Sequence, residues 1–156
     1  MKTIYLKILS FLNNLHDLPL LAMRLVLAYG FYNPAKMKLD NMSDIISWFE
    51  GMNIPLPTLN AYLAAYSEAA GVALLTLGLG TRLISIPLIV DMLVAIVKVH
   101  GENGFEASNN GFEIPLYYII MLFALLLIGP GRASIDYIIA RKTGIENNLN
   151  KSLTYR

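Results

Sequence analysis

Three charged side chains stand inside long apolar runs of this chain: Arg24 in LPLLAMRLVLAYGFYNPA, Glu68 between Thr58 and Leu79, and Asp91 in LISIPLIVDMLVAIVKV. Groups of these types close together can form an ion pair, hold a proton, or bind a polar headgroup. A carboxylate left unpaired at mid-membrane depth costs about 2.5–3.5 kcal/mol even on insertion scales, so each needs a partner. Arg24 and Glu68 are expected to pair. Asp91 is then the surplus carboxylate, protonated or facing water, because two like charges in a low-dielectric interior do not both stay ionised cheaply.

A second polar set, His100, Glu102, Glu106 and Glu113, lies in the segment GENGFEASNNGFE and just before it. Its spacing matches no metal signature, and structural zinc takes four nitrogen or sulfur ligands, so no metal site is expected. His100 is instead expected to bond Glu113, tying the end of the third long helix to the start of the fourth. With no cysteine in the chain, disulfides, thiolate metal sites, iron–sulfur clusters and covalent c-type haem are excluded. His16 and His100 fall on opposite sides of the membrane in the topology below, which excludes one haem held by both.

The elements that must position these groups are helices. Apolar runs at about 18–35, 58–79, 83–99 and 114–129 predict an all-α fold, a bundle of four transmembrane helices forming one membrane domain over residues 1–156. The third run, about 17 residues at about 1.5 Å each, only just crosses a bilayer core of about 30 Å, and puts Asp91 near the midplane. Pro34 is expected to stop or kink the first helix. Between helices one and two, Met42, Ile45, Ile46, Phe49 and Met52 share one face and Asp44, Ser47 and Glu50 the other, an outer amphipathic helix with Trp48 at headgroup level. An IPLP turn follows, with Thr58 as N-cap of the second long helix. Ala61, Ala64, Ala65 and Gly71 give that helix a small-residue packing face. Tyr66, about 12 Å along it, is too deep for an interfacial belt and is expected to line a pocket. Residues 1–17 read as a surface helix that is retained, since no small-residue cleavage site precedes the first long run. Residues 133–156 read as a peripheral, partly disordered tail.

Composition points the same way. Hydrophobic residues are 56% of the chain and charged ones 15%, against about 45–50% and about 25% in a soluble domain. The mean hydropathy is +0.54. A net charge of +1 without a basic stripe excludes nucleic acid as a partner; the bilayer is the expected one. Eight lysines and arginines fall at the inner ends and tails and three (Lys36, Lys38, Lys98) on the other side, so the positive-inside rule puts both termini in the cytoplasm of a bacterial or archaeal cell. Eleven of the sixteen aromatics then cluster in the outer half, most of them as an aromatic belt.

The order of Arg24, Lys38-Leu39, the IPLP turn, Glu68 with Gly71, Gly78-x-x-Thr81-Arg82, Met92-x-x-Ala95, His100-x-x-x-Gly104-Phe105, Gly111-x-Glu113 and Gly129-Pro130-Gly131-Arg132-x-Ser134-x-Asp136 resembles the DoxX family of small four-helix membrane proteins, over residues 18–137. Asp91 stands where that pattern carries a neutral residue. The resemblance implies an accessory membrane subunit of a quinone-linked redox or stress-response system, in which a bound quinone or a partner subunit supplies the electron carrier. On that view Arg24, Glu68 and Asp91 form the polar interior of an outward-opening pocket, Tyr66 lines it, and Lys38, His100 and Glu113 form its mouth. The alternative is a non-catalytic scaffold or a lipid- or small-solute-binding protein, in which the same charges only hold the bundle together. A redox partner protein or a second copy of the chain is the expected protein partner.

Overall fold

The computed structural model describes residue 15 and residues 17–143; the expected surface helix at 1–17 and the end of the tail lie almost wholly outside them. Among the described residues the fold is all-helical, with α1 Asp17–Asp40, α2 Met42–Gly51, α3 Pro57–Leu77, α4 Thr81–Ala95, α5 Glu113–Ile128 and α6 Ile135–Thr143. A π-turn, Ile96–His100, and a 3-10 turn, Gly101–Asn103, prolong α4 outward.

Long helices α1 and α3 pack along each other, as do α4 and α5, and α3 joins the two pairs. Leu20, Leu27 and Phe31 of α1, Leu75 of α3, Ile84 and Leu88 of α4, and Leu122 and Leu125 of α5 form the main core. Ile45 and Phe49 of α2 close a smaller one over Ile54, Ala61 and Ala64. The small-residue face behaves as expected. Ala61 and Ala65 are fully buried, and a Cβ on Gly71 would sit 2.8 Å from Leu88 Cδ1, so α3 and α4 pack closely there and a larger residue would have to push the Leu88 side chain aside.

The outside of the bundle is apolar as well as its core, and a few polar groups are buried within. Tyr29 on α1, Leu63 and Tyr66 on α3, Leu83, Val90 and Val97 on α4 and its extension, and Ile120, Phe123 and Leu127 on α5 are exposed, while Arg24, Glu68, Thr81, Ser85 and Ser134 are buried. Isolated exposed apolar residues are ordinary; apolar residues exposed along four helices suit a lipid solvent. One helical stretch among the described residues, the 23 residues of Thr81–Asn103, is both long and apolar enough to cross a membrane by length and composition, and α5 is apolar but shorter.

Two local expectations are corrected. Pro34 does not end α1, which runs on to Asp40. The proline forfeits one ladder bond, while the helix continues past it for another six residues that make their own. Thr58 is not the cap of α3 either. Leu56 is its N-cap, in the left-handed region (φ 48°), and Pro57 opens the helix, where a missing N–H costs nothing. The tail is ordered as α6 at least to Thr143.

Candidate functional site

Buried polar residues gather at two levels of the bundle. At the end where α3 stops and α4 starts, Gly78 (φ 65°) and Gly80 (φ 58°) reverse the chain. Arg24 reaches this turn from α1, 1% exposed, and gives all its bonds to backbone carbonyls. Nε donates to Leu75 O at 2.8 Å, Nη2 to Thr76 O at 3.0 Å, and Nη1 to Pro130 O at 3.0 Å and Ala133 O at 2.8 Å. The last carbonyls of α3 lack helical donors, and the guanidinium fork supplies them. Gly78 makes room: a Cβ there would lie 2.7 Å from the guanidinium carbon.

Neighbouring charges do related work. Asp136 of α6 accepts from the Gly80 and Thr81 amides at 2.8 and 3.1 Å, capping α4. Arg82 donates to Leu127 O and Ile128 O at 3.2 and 3.1 Å, capping α5. Arg132 pairs with Asp17 at 3.4 Å. The motifs around Gly78, Thr81, Arg82 and Gly129 to Asp136 therefore fold into one clasp that joins the helix ends.

Nearer the middle, the expected Arg24–Glu68 pair is replaced by another. Lys38 Nζ lies 2.7 and 2.6 Å from the two Glu68 oxygens, with side chains 12% and 3% exposed. Helical side chains lean toward the N-terminus of their helix, so Lys38 on the outer turn of α1 reaches inward to Glu68. Arg24 leans away from Glu68 for the same reason.

Beside this pair, Ser67 bonds the Asp91 carboxyl and also the Ala64 carbonyl, and Asp91 lies within electrostatic range of Glu68 and Lys38. A hydroxyl has one proton to give. Both contacts are satisfied together when Asp91 carries a proton and donates to Ser67 Oγ while Ser67 donates to Ala64 O. Lys38, Ser67, Glu68 and Asp91, from α1, α3 and α4, thus combine an ammonium, a carboxylate and an exchangeable proton. Ser67 was not singled out by the sequence reading; its signal was a hydroxyl directly beside the buried glutamate.

The remaining expected site residues stand apart from this cluster. Tyr66 is 61% exposed and stacks on Tyr62 at 6.1 Å on the outer surface of α3. His100 does not bond Glu113; its Nδ1 lies 2.8 Å from Asn110 O. Glu113 accepts from the Ala107 amide at 3.0 Å and the Tyr117 hydroxyl at 2.9 Å, which folds the loop back on itself. Gly111 must be glycine for that fold, since a Cβ there would sit 2.4 Å from Gly104 O. Among the described residues no three of the His, Asp and Glu side chains converge on one metal position. Surface clefts of about 470 Å³ beside Leu56 and Tyr62, and of about 380 Å³ beside Tyr137 and Lys142, lie away from the cluster.

The Ala107 amide, and after it the Tyr117 hydroxyl, hold the Glu113 pKa below the usual glutamate value. A carboxylate with a lower pKa folded than unfolded stabilises the fold fully above its unfolded value, and that contribution is lost as the pH falls through the folded one. Amide exchange across residues 104–113 should therefore be slower in wild type than in Glu113→Ala at neutral pH, and the difference should shrink on acidification. A pH-independent difference would show that the charge of Glu113 does not hold the loop.

The DoxX family model matches residues 19–101, a little over half of the chain. A protein of Haemophilus influenzae, described as uncharacterized, is 28% identical over 130 residues, which is 78% of this chain and 83% of the relative. An uncharacterized membrane protein of Mycobacterium tuberculosis is 33% identical over 104 residues, 60% of this chain and 64% of the relative. No solved structure matches.

Proposed function

The chain belongs to the DoxX family of membrane proteins, and on that premise we propose that it is an accessory membrane subunit of a quinone-linked redox or stress-response system, in which α1, α3, α4 and α5 each cross the bilayer and the Lys38–Glu68–Asp91 cluster receives a quinone headgroup. The supporting observation is the cluster itself, Lys38 held on Glu68 with the Asp91 carboxyl bonded to Ser67 beside that pair, drawn from α1, α3 and α4. A quinone needs hydrogen-bond donors at its carbonyl oxygens, and its reduction to quinol takes up two electrons and two protons. Lys38 and Asp91 are placed to offer the former and to relay the latter. The chain has no cysteine and no pair of histidines on one side of the membrane, so the electrons come from a partner subunit.

Both termini lie in the cytoplasm on this reading, because Arg82, Arg132, Arg141 and Lys142 gather at the clasp end while Lys36 and Lys98 lie at the other. Reporter fusions at Lys142 should then be active in the cytoplasm and insertions at Asn109 accessible from outside. Opposite labelling would overturn the orientation.

Organic extraction of the purified protein tests the ligand. Wild type should yield about one quinone per chain, and Lys38→Met should lose it. Phospholipid alone, in wild type and variant alike, would favour a non-catalytic scaffold, a reading that the clasp supports because its charges serve only the chain's own backbone and side chains.

A further inference from the structure

The outer half of α1 exposes Tyr29, Tyr32, Asn33, Lys36 and Asp40. Their spacing, i, i+3, i+4, i+7 and i+11, puts them on one face of the helix. Tyr29 is 79% exposed and Tyr32 53%. Among the described residues of α1, α3, α4 and α5, every other amide or charged side chain has a partner, among them Asn60 on Pro55 O, Glu68 on Lys38, Arg82 on Leu127 O and Asp91 on Ser67. Asn33, Lys36 and Asp40 have none. Asn33 lies roughly 24 Å along a helix that starts at the inner surface, and Tyr29 roughly 18 Å, so both lie within a hydrocarbon core of about 30 Å. An amide left facing lipid at that depth keeps a donor and an acceptor unsatisfied.

We propose that this face is covered by a second copy of the chain, in a parallel two-fold dimer with α1 against α1. The proposal rests on the four-span reading above, since only immersion makes an unpartnered Asn33 costly. The chemistry of the stripe favours a copy of itself over lipid or an unrelated subunit. A primary amide carries both donor and acceptor, so two Asn33 side chains across the axis satisfy each other. Lys36 and Asp40 are one turn apart and opposite in charge, so each copy offers the cation that the other's anion needs, twice, as an isologous interface requires. Interhelical hydrogen bonds of this kind hold membrane helices together where hydrophobic driving force is absent.

The chain contains no cysteine, so any introduced thiol is unique. Tyr29→Cys, Asn33→Cys and Lys36→Cys, oxidised in native membranes, should form disulfide dimers at least about tenfold more than Leu83→Cys and Phe123→Cys on the exposed faces of α4 and α5. Adding Asn33→Val to Tyr29→Cys should lower that yield roughly tenfold. Equal yields at all five positions would mean random collision, and no dimer at the three α1 positions, or linkage there to a chain of different mass, would overturn the proposal. Labelling the reduced Asn33→Cys protein with a membrane-impermeant maleimide separates the two readings. Labelling as fast as at Asn109→Cys would show that α1 is not immersed, sinking the four-span reading with the dimer; protection without cross-linking would sink the dimer alone.

Discussion

Arg24→Met should lower the stability of the purified protein more than any other single substitution of a polar residue. The guanidinium holds four carbonyls from two separate stretches of chain, and methionine fills the space without returning one donor. Hydrogen bonds to a charged group are worth about 1.5–3 kcal/mol each. Shared among four acceptors around one group they are not additive, and the expected total is about 4 kcal/mol or more, in the range reserved for broken buried networks. Arg24→Lys should recover only part of this, because an ammonium cannot present a planar fork to carbonyls on two sides. Glu68→Gln should not rescue Arg24→Gln, since the two side chains have no contact. Thermal and denaturant unfolding in one detergent would measure all of these, and a change below about 1 kcal/mol in Arg24→Met would show that the clasp does not hold the bundle.

The second large effect is expected at the Lys38–Glu68 pair. Removing one partner of a buried ion pair commonly costs about 3–5 kcal/mol, because the other charge is left without compensation. Lys38→Met and Glu68→Gln should each be strongly destabilising, and the double variant should be much less so than their sum. Asp91→Asn should be mild by comparison, since an amide oxygen can accept from Ser67 as the carboxyl does. Additive losses at Lys38 and Glu68 in the cycle would mean that the 2.6 Å contact contributes no coupling.

These two results also mark what sequence periodicity could reach. The order of the four long helices and the amphipathic one is legible because they are long apolar runs and a two-sided pattern at Met42–Gly51, whereas α6 lies in what reads as a tail. The small face of Ala61, Ala64 and Ala65 is legible for the same reason, as spacing alone fixes which side a helical residue occupies. That Glu68 and Asp91 share one cluster follows from depth, both being near the centres of their helices. The partner of Glu68 did not follow from depth. Counting along the axis put Lys38 at the surface and Arg24 inside, whereas a lysine stem leaning toward its helix N-terminus reaches a turn or more inward. Arg24 was misassigned because backbone carbonyls carry no sequence signature, and a buried cation reads as if it must seek an anion. Asp136 was quoted only as part of a motif, and its role as the cap of α4 needed the chain's return across more than 50 residues. The loop at 104–113 was beyond reach because Glu113 satisfies local amides, where residue type suggested a charged partner in His100.

The clasp also has an order in time. Arg24 emerges from the ribosome long before Pro130 and Ala133, which stand 106 and 109 residues later and supply two of its four acceptors. Until that segment is made, α1 carries a cation whose coordination cannot be complete. The bundle is therefore locked by residues that follow its last long helix, and nascent chains that stop at Ile128 carry every long helix without the lock. Such chains carry a half-bonded arginine, the kind of feature by which a quality-control protease can tell an unfinished product from a finished one.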